Sequence, residues 1–531
     1  MVSPLLEKRG IVRDQIHGFI EINNLEYSLL QTPFLRRLHN VKQLGLANLV
    51  FPGATHTRFN HSLGVMHISS QIADRLLQIA RRGAYCGRIF LHCDRGTEQF
   101  LETARLAGLL HDIGHPPLSH QMEESLKTIA RARSLRTNEP SPYTKVIARY
   151  GGGKLHEAFT RRFISRIVEH LEDRGEYEKA LYVRAAGAVL GAYSPAELEN
   201  VGLSPDSVTV FLDIISNEIF DADRLDYLVR DATMSGVVFG EIDIDRLLVG
   251  LQLDLDGEGN IRIGVHPRSL QTLEDVFDAR YKMYRTIYYH HKAIAINIAI
   301  TRVVDILIDN WNDVAPKSLL DNLKGPEDLY NPEAIADVIL EGKTLYTDSD
   351  FDSILYNMSA SKNPQHSRWA HSLLHERSLL PISLVKRPES LVIRIAERVA
   401  RDHSRKSSLE TVSEIYRIVG DAASKKRGVF EKALADRIYS ALRGRIPGLN
   451  PEDLTIELDT RLIISNNLKS VSEAYRSLYL YFISQIGKLS LVFTYVYSDD
   501  REKHLALYRE RNTLRKVYED FVADLVVEHT R

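Results

Sequence analysis

The sequence contains few cysteines, little net charge and no long apolar segment. Its only cysteines, Cys86 and Cys93, are not spaced like zinc knuckles or redox pairs, so we expect free thiols in a reducing compartment. A formal net charge of -2 at pH 7 argues against a globally basic nucleic-acid-binding protein. No run of about eighteen apolar residues occurs, and the first residues lack the apolar core of a signal peptide. A cytoplasmic protein without a membrane span is therefore expected.

The first part of the chain has mostly helical periodicity. Short β-like runs predict a small β ribbon between Ile11 and Ile22, and helical patterns then continue, so residues 1–305 are predicted to form a helical catalytic core. Residues 131–154 interrupt the pattern with prolines and three consecutive glycines, which predicts a mobile insertion. A flexible linker is favoured there over a phosphate-binding loop, because the spacing of a P-loop is missing. For its basic residues, a solvated charged loop is favoured over a segment that steers a polyphosphate or a nucleic-acid strand. The turn residues at 256–260 predict a β-hairpin.

Residues 306–531 are predicted to form a second, mainly α-helical lobe. Charged amphipathic helices alternate there with polar connections, while residues 455–459 and 462–464 suggest strands and helical periodicity returns over residues 471–527. No catalytic motif is visible in this lobe, so assembly or regulation is its expected role. The predicted fold class is mainly α: a helical core with a small N-terminal β ribbon, and a C-terminal lobe with a little β structure.

Two histidines and two aspartates form the most informative pattern in the sequence. His111 and Asp112 end an apolar run that predicts a buried helix, and His61 begins another amphipathic helix. Asp223 lies in a third helix-like segment. A single histidine–aspartate pair is most often structural, but a set of imidazole and carboxylate groups suits Mn, Fe, Co, Ni or Zn. The predicted ligands of one such divalent metal are His61, His111, Asp112 and Asp223.

Further segments accompany these four ligands in a fixed order. With them the chain resembles the HD-domain deoxynucleoside triphosphate triphosphohydrolases, the family of the bacterial dGTPases and the vertebrate SAM-and-HD-domain enzyme. Few residues precede Arg13, so no SAM domain is expected. The segments that carry the resemblance are residues 13–21, 32–38, 42–45, 51–65, 111–120, 221–231 and 288–292.

The resemblance implies a reaction, cofactors and an assembly state. The family cleaves a dNTP to deoxynucleoside and inorganic triphosphate by attack of a metal-activated water on the α-phosphate. One transition metal is expected in the HD site, and Mg²⁺ on the bound triphosphate. A homo-oligomer (a dimer, tetramer or hexamer) is also implied. Gln31 and His39 replace an aspartate and an arginine that bind an activating guanine nucleotide in the vertebrate enzyme, which argues against activation at that position and leaves another nucleotide activator open.

The resemblance also implies roles for residues near the metal ligands. His120 is expected to act as general acid and His115 to contact phosphate, because histidine can donate a proton to a leaving oxygen at neutral pH. Glu123 and His156 are expected to form a supporting polar relay. For each tyrosine among the substrate-binding residues, a packed aromatic ring is the alternative. The implied substrate-binding residues are Arg58 at the triphosphate, Gln43 and Leu44 at the sugar, and Tyr227, Asp231 and Tyr289 around the ribose.

Two alternative functions stay open at this point. The chain could be an HD phosphohydrolase for another nucleotide, such as a monophosphate, a cyclic dinucleotide or ppGpp. It could also be a nucleotide-gated or nucleic-acid-binding module that uses the C-terminal lobe and the basic residues of the 131–154 segment. The substrate-binding residues argue against the first alternative, and the complete ligand set argues against a purely non-catalytic role.

Overall fold

The computed structural model describes residues 3–80, 85–93, 96–217, 219–402, 408–461 and 491–530. These residues form two compact units. The first unit comprises the chain up to Met283 together with Leu307–Ser353. The second comprises Tyr284–Ile306 and the described residues from Ile354 onward. The predicted boundary after residue 305 is a single point, whereas the structure divides the chain near residues 283, 306 and 353.

The described residues are mainly α-helical, which confirms the predicted fold class. Up to Met283 the helices are α1 (Asn24–Leu30), α2 (Pro33–Arg36), α3 (Arg58–Ala80), α4 (Cys86–Ile89), α5 (Thr97–Leu110), α6 (His120–Thr137), α7 (Pro142–Tyr150), α8 (Leu155–Asp173), α9 (Tyr177–Val189), α10 (Val208–Ile215), α11 (Ala222–Ser235), α12 (Ile244–Val249) and α13 (Leu270–Met283).

A π-helical turn at Tyr284–Tyr288 opens the second unit. The helices that follow along the chain, of which α15 to α17 and the start of α18 belong to the first unit, are α14 (His291–Asp309), α15 (Trp311–Val314), α16 (Lys317–Leu320), α17 (Pro332–Leu340), α18 (Asp348–Ser359), α19 (Pro364–Leu374), α20 (Pro388–Asp402), α21 (Ser408–Lys425), α22 (Arg427–Leu442), α23 (Arg501–Arg509) and α24 (Arg511–Thr530).

Small antiparallel sheets supplement the helices. The predicted N-terminal ribbon is the hairpin of β1 (Lys8–Asp14) and β2 (Gly18–Asn23), and the predicted hairpin at residues 256–260 joins β3 (Leu251–Leu255) to β4 (Ile261–Val265). In the second unit β7 (Leu491–Tyr497) lies between β5 (Ile382–Ser383) and β6 (Thr455–Arg461). The strand expected at residues 455–459 is therefore present, and the one expected at 462–464 lies outside the described residues.

The first hairpin turns where the Asp14 side chain replaces backbone hydrogen-bond acceptors. Its Oδ1 accepts hydrogen bonds from the backbone N–H groups of Ile16 and His17, both at 2.9 Å. Gly18 completes the turn with φ +72°, a left-handed conformation that glycine adopts without steric cost. The tight turn fixes the position of His17, whose imidazole lies 2.6 Å from the Asp226 carboxylate.

Close packing of α3 against α5 creates the framework of the first unit. A Cβ on Gly108 of α5 would lie 2.7 Å from Ser69 Oγ and 3.0 Å from the Val65 carbonyl oxygen of α3, so only glycine permits this approach. Helix α11 packs against the same helix α3. Because α3, α5 and α11 carry or precede the predicted metal ligands, this packing brings those ligands together.

Three sequence-based expectations differ from the structure. The 131–154 segment contains the end of α6 and all of α7, because Ser141 caps the helix and Pro142 suits its first position. Helical periodicity over residues 471–527 missed strand β7, which lies there together with α23 and most of α24. Cys86 and Cys93 form a disulfide with a Cα–Cα distance of 5.6 Å, so the expectation of free thiols is wrong.

None of the helices in the described ranges combines the length and the apolar character that a bilayer crossing requires.

A buried carboxyl group in α5 gives the first unit a predicted pH dependence. Glu102 is 3% exposed and accepts a hydrogen bond from Asn23 at 2.6 Å, while Glu26 lies close by. Burial and the charge of Glu26 raise the pKa of Glu102 well above its ordinary value. The unfolded chain releases this proton near pH 4.5, whereas the folded protein retains it to higher pH. The free energy of unfolding therefore falls as pH rises from 4.5 to the raised pKa of Glu102.

We therefore expect Glu102→Gln to stabilise the protein at pH 8 and to be nearly neutral at pH 4. Each unit of raised pKa corresponds to about 1.4 kcal/mol at high pH. Thermal unfolding at both pH values measures the effect, with Glu98→Gln on the exposed side of the same helix as control. A variant that is equally or less stable than the wild type at pH 8 would contradict this account.

Candidate active site

The four predicted metal ligands converge in the first unit. His61 lies in the first turn of α3, His111 and Asp112 follow the end of α5, and Asp223 lies in the first turn of α11. His61 Nε2 is 3.0 Å from Asp223 Oδ1 and 3.6 Å from Asp112 Oδ2. His111 Nε2 is 3.2 Å from Asp112 Oδ2 and 3.8 Å from Asp223 Oδ1. Ligand atoms about 2.1 Å from one shared ion lie roughly 3 to 4 Å apart, as these do.

The hydrogen bonds of the two histidines suit metal binding. His61 Nδ1 is 2.7 Å from Asp226 Oδ2, and His111 Nδ1 is 2.7 Å from the Gly108 carbonyl oxygen. Both acceptors require Nδ1 to carry a proton, which leaves a lone pair on Nε2 of a neutral ring. Each Nε2 is buried and makes no well-formed hydrogen bond with the described residues. Two lone pairs facing two carboxylates fit a divalent cation between them.

The charges around the four predicted ligands also favour a cation between them. Burial alone lowers the pKa of His61, but hydrogen bonds to Asp223 and Asp226 outweigh burial and raise it. For His111, burial is likewise outweighed by Asp112 and Asp223, and the pKa lies well above its ordinary value. The carboxylates thus favour positive charge at the centre of the four ligands, and a proton or a metal ion supplies it.

A second layer of buried groups holds His61, and sequence reasoning missed it. Asp226 is fully buried and lies 2.6 Å from His17 Nε2, and Arg230 Nε donates to it at 2.9 Å. Gly64 leaves room for this carboxylate, because a Cβ there would lie 1.9 Å from Asp226 Oδ1. The signal available in the sequence is spacing: Asp223 and Asp226 are three residues apart in a helix, so they share one face.

The histidines predicted for catalysis form a second cluster. Glu123 Oε2 is 2.8 Å from His156 Nδ1 and 3.4 Å from His120 Nδ1, while its Oε1 accepts from the backbone N–H of Leu155 at 2.6 Å. The imidazole of His115 stacks on that of His156, with ring centres 4.0 Å apart. Burial raises the pKa of Glu123, but His156 and His120 lower it more, so the carboxylate stays ionised.

Arg58 and Asp112 join the two clusters. The guanidinium of Arg58 is 2% exposed, donates through Nη1 to Asp112 Oδ2, and donates through Nε to Ser119 Oγ at 2.9 Å. Asp112 Oδ1 is 3.3 Å from His115 Nε2. Burial and then the charge of Arg58 lower the pKa of His115 well below its ordinary value. The second cluster has donor atoms close enough for a metal, but the adjacent guanidinium makes an anion the better ligand.

The other predicted residues are placed as follows. The backbone N–H of Gln43 donates to the His56 carbonyl oxygen at 3.0 Å, and His56 Nε2 is 2.7 Å from Asp231 Oδ1. These three residues are therefore connected, with Leu44 next to Gln43 in the chain. Tyr227 follows Asp226 in α11 and is half-buried. Tyr289 belongs to the second unit, where its backbone N–H donates to the Tyr284 carbonyl oxygen.

Comparison with known proteins agrees with this geometry. Residues 58–206, which contain His61, the His111–Asp112 pair and the second cluster, match the HD domain family. This part of the chain is therefore similar to HD domains. Asp223 lies just beyond the matched residues. The match and the ligand geometry together support a divalent metal in this site.

Several proteins are similar over more of the chain. An uncharacterized protein of Methanocaldococcus jannaschii is 30% identical over 294 residues, which are 55% of this chain and 49% of that protein. The Homo sapiens deoxynucleoside triphosphate triphosphohydrolase SAMHD1 is 27% identical over 371 residues, 67% of this chain and 52% of its own. The chain thus spans about half the length of these relatives. A crystal structure of a phosphohydrolase from Bacteroides thetaiotaomicron aligns with a TM-score of 0.56 and 19% identity, covering 93% of this chain and 100% of the other, which shows a shared fold.

The role of Asp226 generates a prediction about metal affinity. Asp226→Asn keeps the shape of the side chain but removes the charge that orients His61 and holds its Nδ1 proton. We expect divalent metal affinity to fall about 10- to 100-fold while all four ligands remain. Competition with a fluorescent chelator for Mn²⁺ measures the change.

Asp213→Asn provides the matched control for this variant. Asp213 is equally buried in the first unit and accepts hydrogen bonds from Arg262 at 2.6 and 2.9 Å. Its loss removes a buried ion pair without touching a histidine of the site. Equal loss of Mn²⁺ affinity in both variants would mean that general destabilisation, and not the orientation of His61, is responsible.

Proposed function

We propose that this protein is a metal-dependent triphosphohydrolase that cleaves dNTPs to deoxynucleoside and inorganic triphosphate. The observation that carries the proposal is the shared carboxylate of Asp112, which lies between the metal ligands and the cluster of Arg58 and His115. A phosphoryl group bound beside Asp112 would contact the metal on one side, and the cationic Arg58 and the neutral His115 on the other. The similarity to SAMHD1, over 67% of this chain, supports a dNTP as substrate.

The metal site supplies one part of the chemistry. A divalent ion held by His61, His111, Asp112 and Asp223 would lower the pKa of a water and polarise a phosphoryl oxygen. Arg58 would bind the triphosphate through its free guanidinium nitrogen, because Nη1 and Nε are already used by Asp112 and Ser119. The proposed Mg²⁺ would accompany the triphosphate itself.

His120 is placed to act as the proposed general acid. Its Nδ1 faces Glu123 at 3.4 Å, which leaves Nε2 on the far side of the ring as the atom that would donate to a substrate. Attack of water on the α-phosphorus breaks the bond to O5′, and O5′ takes the proton from His120 Nε2. The imidazole is 59% exposed, so it can regain a proton from solvent after each turnover. His156 and the backbone N–H of Leu155 hold Glu123 ionised beside it.

The remaining assignments belong to the same proposal. Gln43 and Leu44 would contact the sugar, and Tyr227 and Asp231 would lie beside the ribose. The assignment of Tyr289 to the ribose rests on the family resemblance alone. A hydrogen bond from His56 already fixes Asp231, and Gln43 Oε1 is buried without a hydrogen-bond partner among the described residues, as expected of a group that awaits a ligand. We also propose a homo-oligomer, in line with the family resemblance.

A product assay tests the proposal directly. With Mn²⁺ or Mg²⁺, each dNTP and NTP is supplied singly and in mixtures, and products are separated by ion-exchange chromatography. We expect deoxynucleoside and triphosphate, lost completely in His111→Ala and Asp112→Ala. In His120→Gln we expect kcat to fall about 10²- to 10⁴-fold with Mn²⁺ content unchanged, because only the proton donor is lost.

His92→Gln is the matched control, since it removes an exposed histidine outside both clusters. Nucleoside monophosphate or diphosphate as product would reject the proposed bond and favour an HD phosphohydrolase for another nucleotide. Tight nucleotide or single-strand binding without turnover, with binding to the strand falling at high salt, would reject hydrolysis in favour of a binding module.

A further inference from the structure

We propose that Asp348, in a segment far outside the HD domain, is a positioning residue for the phosphate contact Arg58. This inference rests on the proposed function, since Arg58 is assigned to the triphosphate there. Asp348 begins α18 and belongs to the first unit, as do its partners Lys42 and Leu118 and the residues Ser119 and Arg58. Nothing in its own sequence surroundings marks a catalytic role.

The Asp348 carboxylate binds two backbone segments at once. Its Oδ1 accepts a hydrogen bond from the backbone N–H of Leu118 at 2.7 Å, and its Oδ2 accepts one from the backbone N–H of Lys42 at 3.0 Å. Lys42 Nζ also approaches Oδ2 at 3.6 Å. The side chain is 7% exposed, so water cannot readily replace it in these bonds. Asp348 thus connects the strand-like segment before Gln43 to the loop before His120.

The loop that Asp348 holds has a backbone that needs support. Leu118 and Ser119 have backbone φ values of +57° and +56°, which residues other than glycine rarely adopt. Such a conformation persists only where its surroundings fix it. The hydrogen bond from Leu118 to Asp348 is one such constraint. Since His120 follows directly and begins α6, the strained pair also sets the start of the helix that carries the proposed acid.

Ser119 links the segments held by Asp348 to Arg58. Its hydroxyl donates to the Lys42 carbonyl oxygen at 2.7 Å and accepts from Arg58 Nε at 2.9 Å. Asp348 therefore hydrogen-bonds to both Lys42 and Leu118. Ser119, next to Leu118, also bonds to Lys42 and at the same time accepts from the Arg58 guanidinium. A change at Asp348 that lets Lys42 or Leu118 move must move Ser119. Arg58 would then lose its alignment with Asp112 and with a bound phosphate.

Asp348 is itself anchored by a buried arginine. Arg37 donates from Nε to the Leu345 carbonyl oxygen at 2.8 Å and from Nη2 to the carbonyl oxygens of Tyr346 and His115 at 2.6 and 2.8 Å. Arg37 is fully buried, and burial lowers its pKa to about 10. It fixes the chain just before Asp348 to the loop of the proposed phosphate site, so the carboxylate is held rigidly in place.

The test measures binding of tripolyphosphate to the Mn²⁺-loaded protein by calorimetry. Asp348→Asn retains one acceptor but places an N–H₂ group against a backbone N–H donor. We expect tripolyphosphate affinity to fall about tenfold, and Arg58→Lys to cause a loss of similar size. The double variant should lose little more than either single variant, because both changes disable the same contact. A purely structural role of Asp348 would not produce this non-additivity.

Asp352→Asn is the matched control, since it removes a charge near Lys42 one helical turn further along α18 without contacting either amide. Wild-type affinity in Asp348→Asn, or losses that multiply in the double variant, would overturn the inference. Tripolyphosphate binding is measured without turnover, so the two proposals can fail separately. If the protein hydrolyses no dNTP but its Asp348→Asn and Arg58→Lys variants still lose affinity non-additively, the proposed reaction is wrong and the positioning role of Asp348 is retained. If Asp348→Asn does not fold, Ser119→Ala breaks the same link to Arg58, and the same loss and non-additivity with Arg58→Lys are expected of it.

Discussion

The carboxylate of Asp112 is the group on which the rest of the site depends. One oxygen lies among the two ligand imidazoles and also receives the guanidinium of Arg58, while the other faces His115. Such a buried carboxylate is costly unless it is neutralised on several sides. Its neighbours are therefore constrained: positive charge must come from an arginine on one side and from protonated histidine or a metal on the other.

This constraint explains why the packing of α3 and α5 is so tight. Asp112 follows α5 directly, while His61 and Arg58 lie in the first turn of α3, so the two helices must approach closely for the three groups to meet. Gly108 permits that approach, and its carbonyl oxygen also orients His111. One glycine thus serves both the helix packing and the choice of the imidazole nitrogen that faces the metal position.

The sequence was sufficient to predict the groups that share a local pattern, and insufficient for those that meet only through folding. His111 and Asp112 are adjacent, and Asp223 and His61 each begin a helix, so periodicity locates them. Asp348 acts on a partner 230 residues away, and no local pattern reports such a pair. Asp226 lies 165 residues from His61, and only its spacing from Asp223 indicates that it belongs to the site. In the 131–154 segment the local pattern is ambiguous, because Ser141 and Pro142 are residues of a loop as well as of a helix start, and only the structure shows that they begin α7.

The distribution of these groups along the chain bears on where specificity resides. The proposed four-ligand centre would suit hydrolysis of many phosphate esters, since none of its four residues is assigned to a sugar or a base. The groups assigned to the proposed phosphate and sugar positions are held by other segments: Arg37 and Asp348 fix the loop before His120, and His56 contacts Asp231. Leu307–Ser353 lies outside the HD domain match, yet it belongs to the same compact unit and supplies one of these supports. The compact unit is therefore larger than the matched residues, and the proposed substrate preference of this protein should depend more on the supporting segments than on the four proposed ligands.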